Sequence, residues 1–223
     1  MAIDFNNEEE QKERSNGTIP PNSKVLVSLS IEKPNYAHDL NEYIAVSKAG
    51  LLGLWVKYSV AAGTYEGSCW HENIWLPEGQ QELQGMDEKQ RLACRIGGAR
   101  IRAIIEASRR IHPEDKTPSA CRNRQIQDWL DLNGMEFPIK VGLEKEVKQS
   151  KKSGVFFWPN KTAAIITRDK PEYDELMNGG EIISSSEIPP LPNNAPTRRN
   201  SGSSAGPRDD GPPVDVYNED IPF

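Results

Sequence analysis

Cysteine is scarce in this 223-residue chain. Cys69, Cys94 and Cys121 stand too far apart for a disulfide framework or a paired metal-ligand motif. Long apolar runs are missing as well, and the short ones are broken by charge, which argues against a membrane-spanning helix. The start, Met1-Ala2-Ile3-Asp4-Phe5 followed by Glu8-Glu9-Glu10, lacks the basic residues and apolar core of a signal peptide. A cytoplasmic, reduced protein without a membrane partner is therefore expected. No Walker-type phosphate loop occurs, and Cys69-Trp70-His71 has no second ligand pair to hold zinc. His38, His71 and His112 are isolated, so they read as surface or satisfied residues. Neither metal nor cofactor nor catalytic residue is expected. Only 36% of the residues are hydrophobic, which predicts that part of the chain carries no core.

Charge is unevenly distributed. The whole chain carries a net −6. From residue 171 onward there are three Lys/Arg against ten Asp/Glu, a net −7. Residues 1–170 hold 24 against 23, a net +1. A basic surface and an acidic arm can thus coexist, and the overall acidity says little about the partners of the folded part.

Residues 1–20 read as a loosely held polar arm. Alternation then begins. Val25, Val27, Leu29 and Ile31 share one parity, and Leu52, Leu54, Val56, Tyr58 and Val60 repeat it; both predict half-buried strands. An aromatic-rich third run covers 65–76. Asp87 is a predicted N-cap for a helix reaching Ile111, with apolar spacing at Leu92, Ile96, Ala99, Ile101, Ile104 and Ile105. Gly97-Gly98 inside it costs about 1 kcal/mol per glycine relative to alanine, which points to close packing or a kink. A second helix is predicted over 119–132. Alternation returns at Phe137, Ile139, Val141 and Leu143, followed by a basic loop at 148–152 and a last strand at 162–167. About five principal strands with a helical insertion between the third and fourth predict a mainly β, α+β fold. Its outline is a five-stranded OB-fold-like barrel over residues 21–175.

Residues 176–213 read as a disordered linker. Seven prolines (189, 190, 192, 196, 207, 212, 213) and a Ser/Gly run leave Leu191 as the one large aliphatic residue between 189 and 213. Such a segment buries too little surface to offset its ordering entropy. From about Ser184 its ~28 coil residues would hold the end about 30 Å from the domain. Acidic and apolar residues then return together in 214–223, which ends Asp220-Ile221-Pro222-Phe223. Phe223 can enter an apolar pocket while its α-carboxylate meets a cation at the rim. Pro222 limits the ordering cost, and Asp215, Glu219 and Asp220 steer the arm toward a basic surface.

Acids followed by Ile-Pro-Phe after a Pro/Gly linker resemble the tail of bacterial-type single-stranded DNA-binding proteins, although Asn218 and Glu219 make it less acidic than that family's aspartate run. The resemblance implies that the tip docks onto helicases, nucleases and other replication or recombination proteins. Residues 60–67, 97–107, 111–115 and 159–162 are similar instead to a phage-encoded family of small replication and recombination proteins. That likeness covers most of residues 20–170. It implies a phage single-stranded DNA-binding protein acting in a bacterial host.

Sequence-tolerant binding of single strands requires cations along a groove and aromatic faces for stacking. Trp55 and Lys57 lie on the polar parity of their strand. Trp70 and Trp75 have opposite parities, so at most one shares that face, and Trp75, Phe156 and Trp129 are read as core. Phe157 and Trp158, after the basic loop, predict a second platform. Lys148, Lys151, Lys152 and Lys161, with Arg100, Arg102, Arg109 and Arg110 of the helix, are the candidate phosphate contacts, and Arg122 and Arg124 weaker ones. The expected function is coating single-stranded DNA without catalysis and recruiting partners through Asp215, Glu219, Asp220, Ile221, Pro222 and Phe223; a homo-oligomer is left open. Two alternatives remain. One is a nuclease with an adaptor tail, suggested by Glu146-Val147-Lys148. The other is an adaptor that mimics the host tail without touching DNA.

Overall fold

The alternation in the first strand sets the architecture. In the computed structural model, which describes residues 17–38, 41–150 and 154–191, β1 spans Lys24–Ile31 and turns Val25, Val27, Leu29 and Ile31 into the core. A hairpin of β2 (Ala37–His38) and β3 (Asn41–Val46) follows, and then β4 (Leu52–Val60), whose Leu54, Val56, Tyr58 and Val60 are buried. β5 covers Cys69–Trp75. Helix α1 (Glu88–Ser108) and the short α2 (Pro118–Asn123) precede β6 (Glu136–Leu143). A small hairpin of β7 (Lys148–Gln149) and β8 (Phe156–Phe157) leads into β9 (Asn160–Ile165) and α3 (Tyr173–Met177).

β1 is central, antiparallel to β4 on one side and to β6 on the other. β9 extends the sheet from β6. β4 takes β5 along its other edge, and its first residues also pair with β3. Running outward from β1, the sheet is thus β4 then β5 on one side, β6 then β9 on the other, with β2–β3 appended and β7–β8 forming a separate two-stranded sheet. The result is mainly β: a curled antiparallel half-barrel with few helices, its apolar concave face filled by Phe137, Ile139, Tyr58 and their neighbours. Twist drives the curl, because each strand rotates relative to the last until β5 and β9 approach each other.

The seam between β5 and β9 is closed by Glu72. Its carboxylate accepts from Arg100 Nη1 at 2.7 Å, from Trp70 Nε1 at 3.0 Å and from the backbone N–H of Thr162. Arg100 also donates to the Thr162 carbonyl at 3.3 Å. One carboxylate therefore joins two strands and a helix. Its charge is matched by a guanidinium, which partly buried carboxylates require. Tyr58 lies beside this cluster; burial, and next the Glu72 charge, push its phenol well above the usual range.

Helix α1 begins where expected. Asp87 accepts from the Gln90 N–H at 2.8 Å and Gln90 returns a bond to the Asp87 N–H, a complete capping box. Gly97-Gly98 is a packing device and not a kink. A Cβ at Gly97 would overlap the Trp75 carbonyl, so its absence lets the helix lie directly on β5.

Several expected elements change. The second helix does not reach 132: α2 stops at Asn123, and a separate 3-10 turn spans Trp129–Leu132. Aspartates cause the break. Asp128 caps the Leu130 N–H at 2.8 Å, while Asp131 accepts from Gln127 and Asp128, satisfying the backbone locally instead of in a helix. The third strand starts at 69 rather than 65, because Gly63 and Gly67, both at positive φ, turn the chain first. The folded part also runs past 175. Ile182 exchanges two backbone hydrogen bonds with Lys24, and the Ser184 N–H reaches Ser23 Oγ at 3.0 Å. Of the arm expected over 1–20, residues 1–16 lie outside the described residues, and the rest is held: Ile19 is buried and donates its N–H to Asn160 Oδ1 at 3.0 Å, and Thr18 donates to the Trp158 carbonyl at 2.9 Å.

Two stability outcomes follow from this geometry. Gly97→Ala should cost about 2–4 kcal/mol despite the helix-propensity gain of ~1 kcal/mol, because the new methyl meets backbone. Gly98→Ala, whose Cβ would meet only the edge of the Pro77 ring at 3.3 Å, should lie within about 1 kcal/mol of neutral. Urea midpoints of the two variants check the contrast. Glu72→Gln should destabilise by about 2–3 kcal/mol, and a double-mutant cycle with Arg100→Met should give a coupling of at least ~1 kcal/mol. Additive effects would mean that the seam is not held here.

Candidate functional site

The outward face of β4 carries Gly53, Trp55, Lys57 and Ser59. The register places Trp75 opposite Gly53, Asn73 opposite Trp55, His71 opposite Lys57 and Cys69 opposite Ser59. Trp55 stacks on its diagonal neighbour His71, with ring centroids 5.4 Å apart and planes 11° from parallel. Such diagonal pairs are within reach of aromatic side chains across two strands. Trp75 lies over Gly53, where a Cβ would come within 2.9 Å of the indole ring. An aromatic surface thus runs along the pair β4–β5.

Its charges are mixed. Glu32, at the end of β1, accepts from or pairs with His71 Nε2 at 2.9 Å and lies 3.6 Å from Lys57 Nζ. The Glu32 N–H donates to the Trp55 carbonyl, which fixes the carboxylate beside the stack. Lys57 and His71 are each about one-third exposed, so the cluster is open to solvent. Ser30, opposite Lys57 on β1, adds a hydroxyl to the same face. At the hairpin end, Lys33 Nζ lies 5.6 Å from the centre of the Tyr43 ring and pairs with Glu42.

The expected residues divide into groups. Trp55 and Lys57 stand together on the outward face, as their parity indicates. Trp70 is corrected: it is 7% exposed, stacked on Tyr58 inside the core, with its indole N–H on Glu72. Trp75, read as core, takes the outward position. Arg100 is corrected too, since its guanidinium is engaged by Glu72 and Thr162 and is a clasp, not a free phosphate contact.

Arg102 and Arg109, with Arg124 at the end of α2, serve the fold in the same way, whereas Arg110 contributes only its backbone carbonyl, to Arg168. Glu106, 3% exposed, accepts from Arg102 Nε at 2.8 Å and Arg124 Nε at 2.6 Å. Arg124 also donates to the carbonyls of His112 and Asp115, and Arg109 to those of Asn123 and Gln125. These contacts hold the loop after α1 and leave little capacity for phosphate.

Lys148 and Phe157 lie opposite each other on the β7–β8 hairpin, which forms its own two-stranded sheet. Lys148 pairs with Glu144, while Phe157 is 40% exposed. Trp158 donates its indole N–H to the Pro189 carbonyl at 2.7 Å, so it anchors the C-terminal segment while its ring stays half-buried. Phe156, read as core, is half-buried as well. Lys161 lies on β9, its stem against Gly142. Lys151 and Lys152 lie outside the described residues, as do Asp215, Glu219, Asp220, Ile221, Pro222 and Phe223.

Sequence reasoning missed His71, Trp75, Glu32 and Tyr43. Alternation along 69–75 puts His71 and Trp75 on one parity, but which face that parity takes depends on the register with β4. The eight-residue connection 61–68 leaves that register undetermined from sequence. Comparison with protein-family models, with curated proteins and with solved structures finds no match to this chain.

Proposed function

We propose that the protein binds single-stranded DNA on the outward face of β4–β5 and recruits partner proteins through residues 214–223. The observation that carries this reading is the Trp55–His71 stack beside Lys57, an aromatic platform with an adjacent cation on a solvent-facing sheet. Bases of any identity offer a π-face to such a platform, each stack contributing ~1–3 kcal/mol, and phosphates seek the neighbouring cations.

The strand order supports an OB-type reading of the half-barrel. Among the principal strands, β1 lies between the second (β4) and the fourth (β6), with the third (β5) and fifth (β9) at the outer positions and α1 inserted between third and fourth. In OB-folds the face of strands two and three, with the loops between strands one and two and between four and five, takes oligonucleotides. Here those positions correspond to β4–β5, the β2–β3 hairpin carrying Tyr43, and the β7–β8 hairpin carrying Lys148 and exposed Phe157. A strand laid across the face would pass from Phe157 or Tyr43 onto Trp55, His71 and Trp75. In this reading the protein coats replication or recombination intermediates in the cytoplasm of a phage-infected bacterium and performs no catalysis itself.

Glu32 tempers the site. Its carboxylate competes with phosphate for Lys57 and His71, so affinity depends on displacing it.

Titration of the full chain with oligothymidylate should quench tryptophan fluorescence and weaken steeply with salt. Trp55→Ala should weaken binding about 5- to 150-fold, the equivalent of one stack, with an unchanged urea midpoint. Loss of folding in step with binding would return Trp55 to the core and remove the reading. Glu32→Gln should tighten binding by about three- to tenfold at low salt, since it removes a competing charge.

A further inference from the structure

Away from the strand face, a groove of about 650 Å³ opens between α1 and the loop that follows it. Ile101, Ile105, Ile126 and Trp129 form its apolar floor, and Arg102 and Lys116 stand at its rim. Asp115, the acid at the rim, is committed to the Thr117 N–H at 2.8 Å, which holds its carboxyl below the usual range. The surrounding region is cationic: residues 88–132 contain ten Lys/Arg against six Asp/Glu, a net +4. A pocket of this size takes two large apolar side chains, with charge at its edge setting orientation.

One segment of the chain has the complementary composition. Residues 214–223 combine Val214, Val216, Tyr217, Ile221 and Phe223 with Asp215, Glu219 and Asp220, and carry no Lys or Arg. Thirty-two residues, the length from 192 to 223, would span about 30 Å on average if they formed a coil, enough to reach another face of a domain this size. Tethering of that length gives an effective concentration of order millimolar, so even a weak contact is substantially populated.

We propose that the groove between α1 and the 113–129 loop is a docking site for residues 214–223 of the same chain, the Ile221 and Phe223 side chains entering the apolar floor and the acids meeting Lys116. The tip is then held on its own domain until a partner competes for it. This goes beyond recruitment, because the free and docked tip are alternative states set by partner affinity.

The test uses a fluorescently labelled synthetic peptide of residues 214–223 and no nucleic acid, so failure of the strand-face reading leaves it unaffected. The peptide is titrated against the full native chain and against the full chain carrying Ile221→Ala and Phe223→Ala. The double variant should bind at least fivefold more tightly, because the internal competitor is weakened. Lys116→Glu in that background should weaken binding threefold or more and Lys116→Arg should restore it. Amide shifts between native and double-variant chains should cluster at 98–105 and 113–129. Equal affinity for the two chains, undetectable binding, or shifts centred on Trp55 and His71 would overturn the proposal. So would competition that strengthens with protein concentration, which would assign the tip to a second copy.

Discussion

The Glu72 carboxylate is the contact on which the rest depends. It lies where a curling sheet would otherwise leave β5 and β9 as two open edges, and it bonds to both strands and to α1 through Arg100. With the seam closed, β4 and β5 keep a fixed curvature and register, and Gly97 lets α1 rest on the Trp75 carbonyl behind them. Trp75 then faces outward over Gly53 and Trp70 inward against Tyr58. The aromatic outer face is a consequence of this closure, since its members come from strands whose relative register the seam helps to hold.

The same economy governs the basic residues. Arg100, Arg102, Arg109 and Arg124 serve the fold, because a guanidinium can satisfy several loop carbonyls at once. Arg124 ties the connection after α1 to buried Glu106, and Arg109 closes the same connection at Asn123 and Gln125. The acidic balance of the whole chain is therefore compatible with a local cationic groove and a strand face of mixed charge. On that face the Glu32 carboxylate is shared between Lys57 and His71.

Much of the fold was legible in the sequence where a local rule sufficed. The parities of β1, β4 and β6, the Asp87 cap and the position of α1 all follow from spacing and side-chain chemistry within a few residues. Trp55 and Lys57 were placed outward by the same parity. What was not legible depended on pairing across distance. Choosing between Trp70 and Trp75 needed the β4–β5 register, and recognising Arg100 as a clasp needed β9 brought beside β5. The second helix failed for a different reason: Asp128 and Asp131 offer the backbone local partners that propensity does not weigh. Trp158, grouped with Phe157 by adjacency, has its indole N–H committed to the distant Pro189 carbonyl, a contact that sequence spacing does not show.

The central claim is that a single strand lies along β4–β5. Photo-crosslinking of the full chain to a bromodeoxyuridine-substituted oligothymidylate, followed by mass-spectrometric mapping, reads that contact directly. The account predicts crosslinks in the peptides containing Trp55, His71 and Trp75, with additional ones at Tyr43 or Phe157. Crosslinks confined to α1 and residues 113–132, or none under conditions where the oligonucleotide is retained, would contradict it.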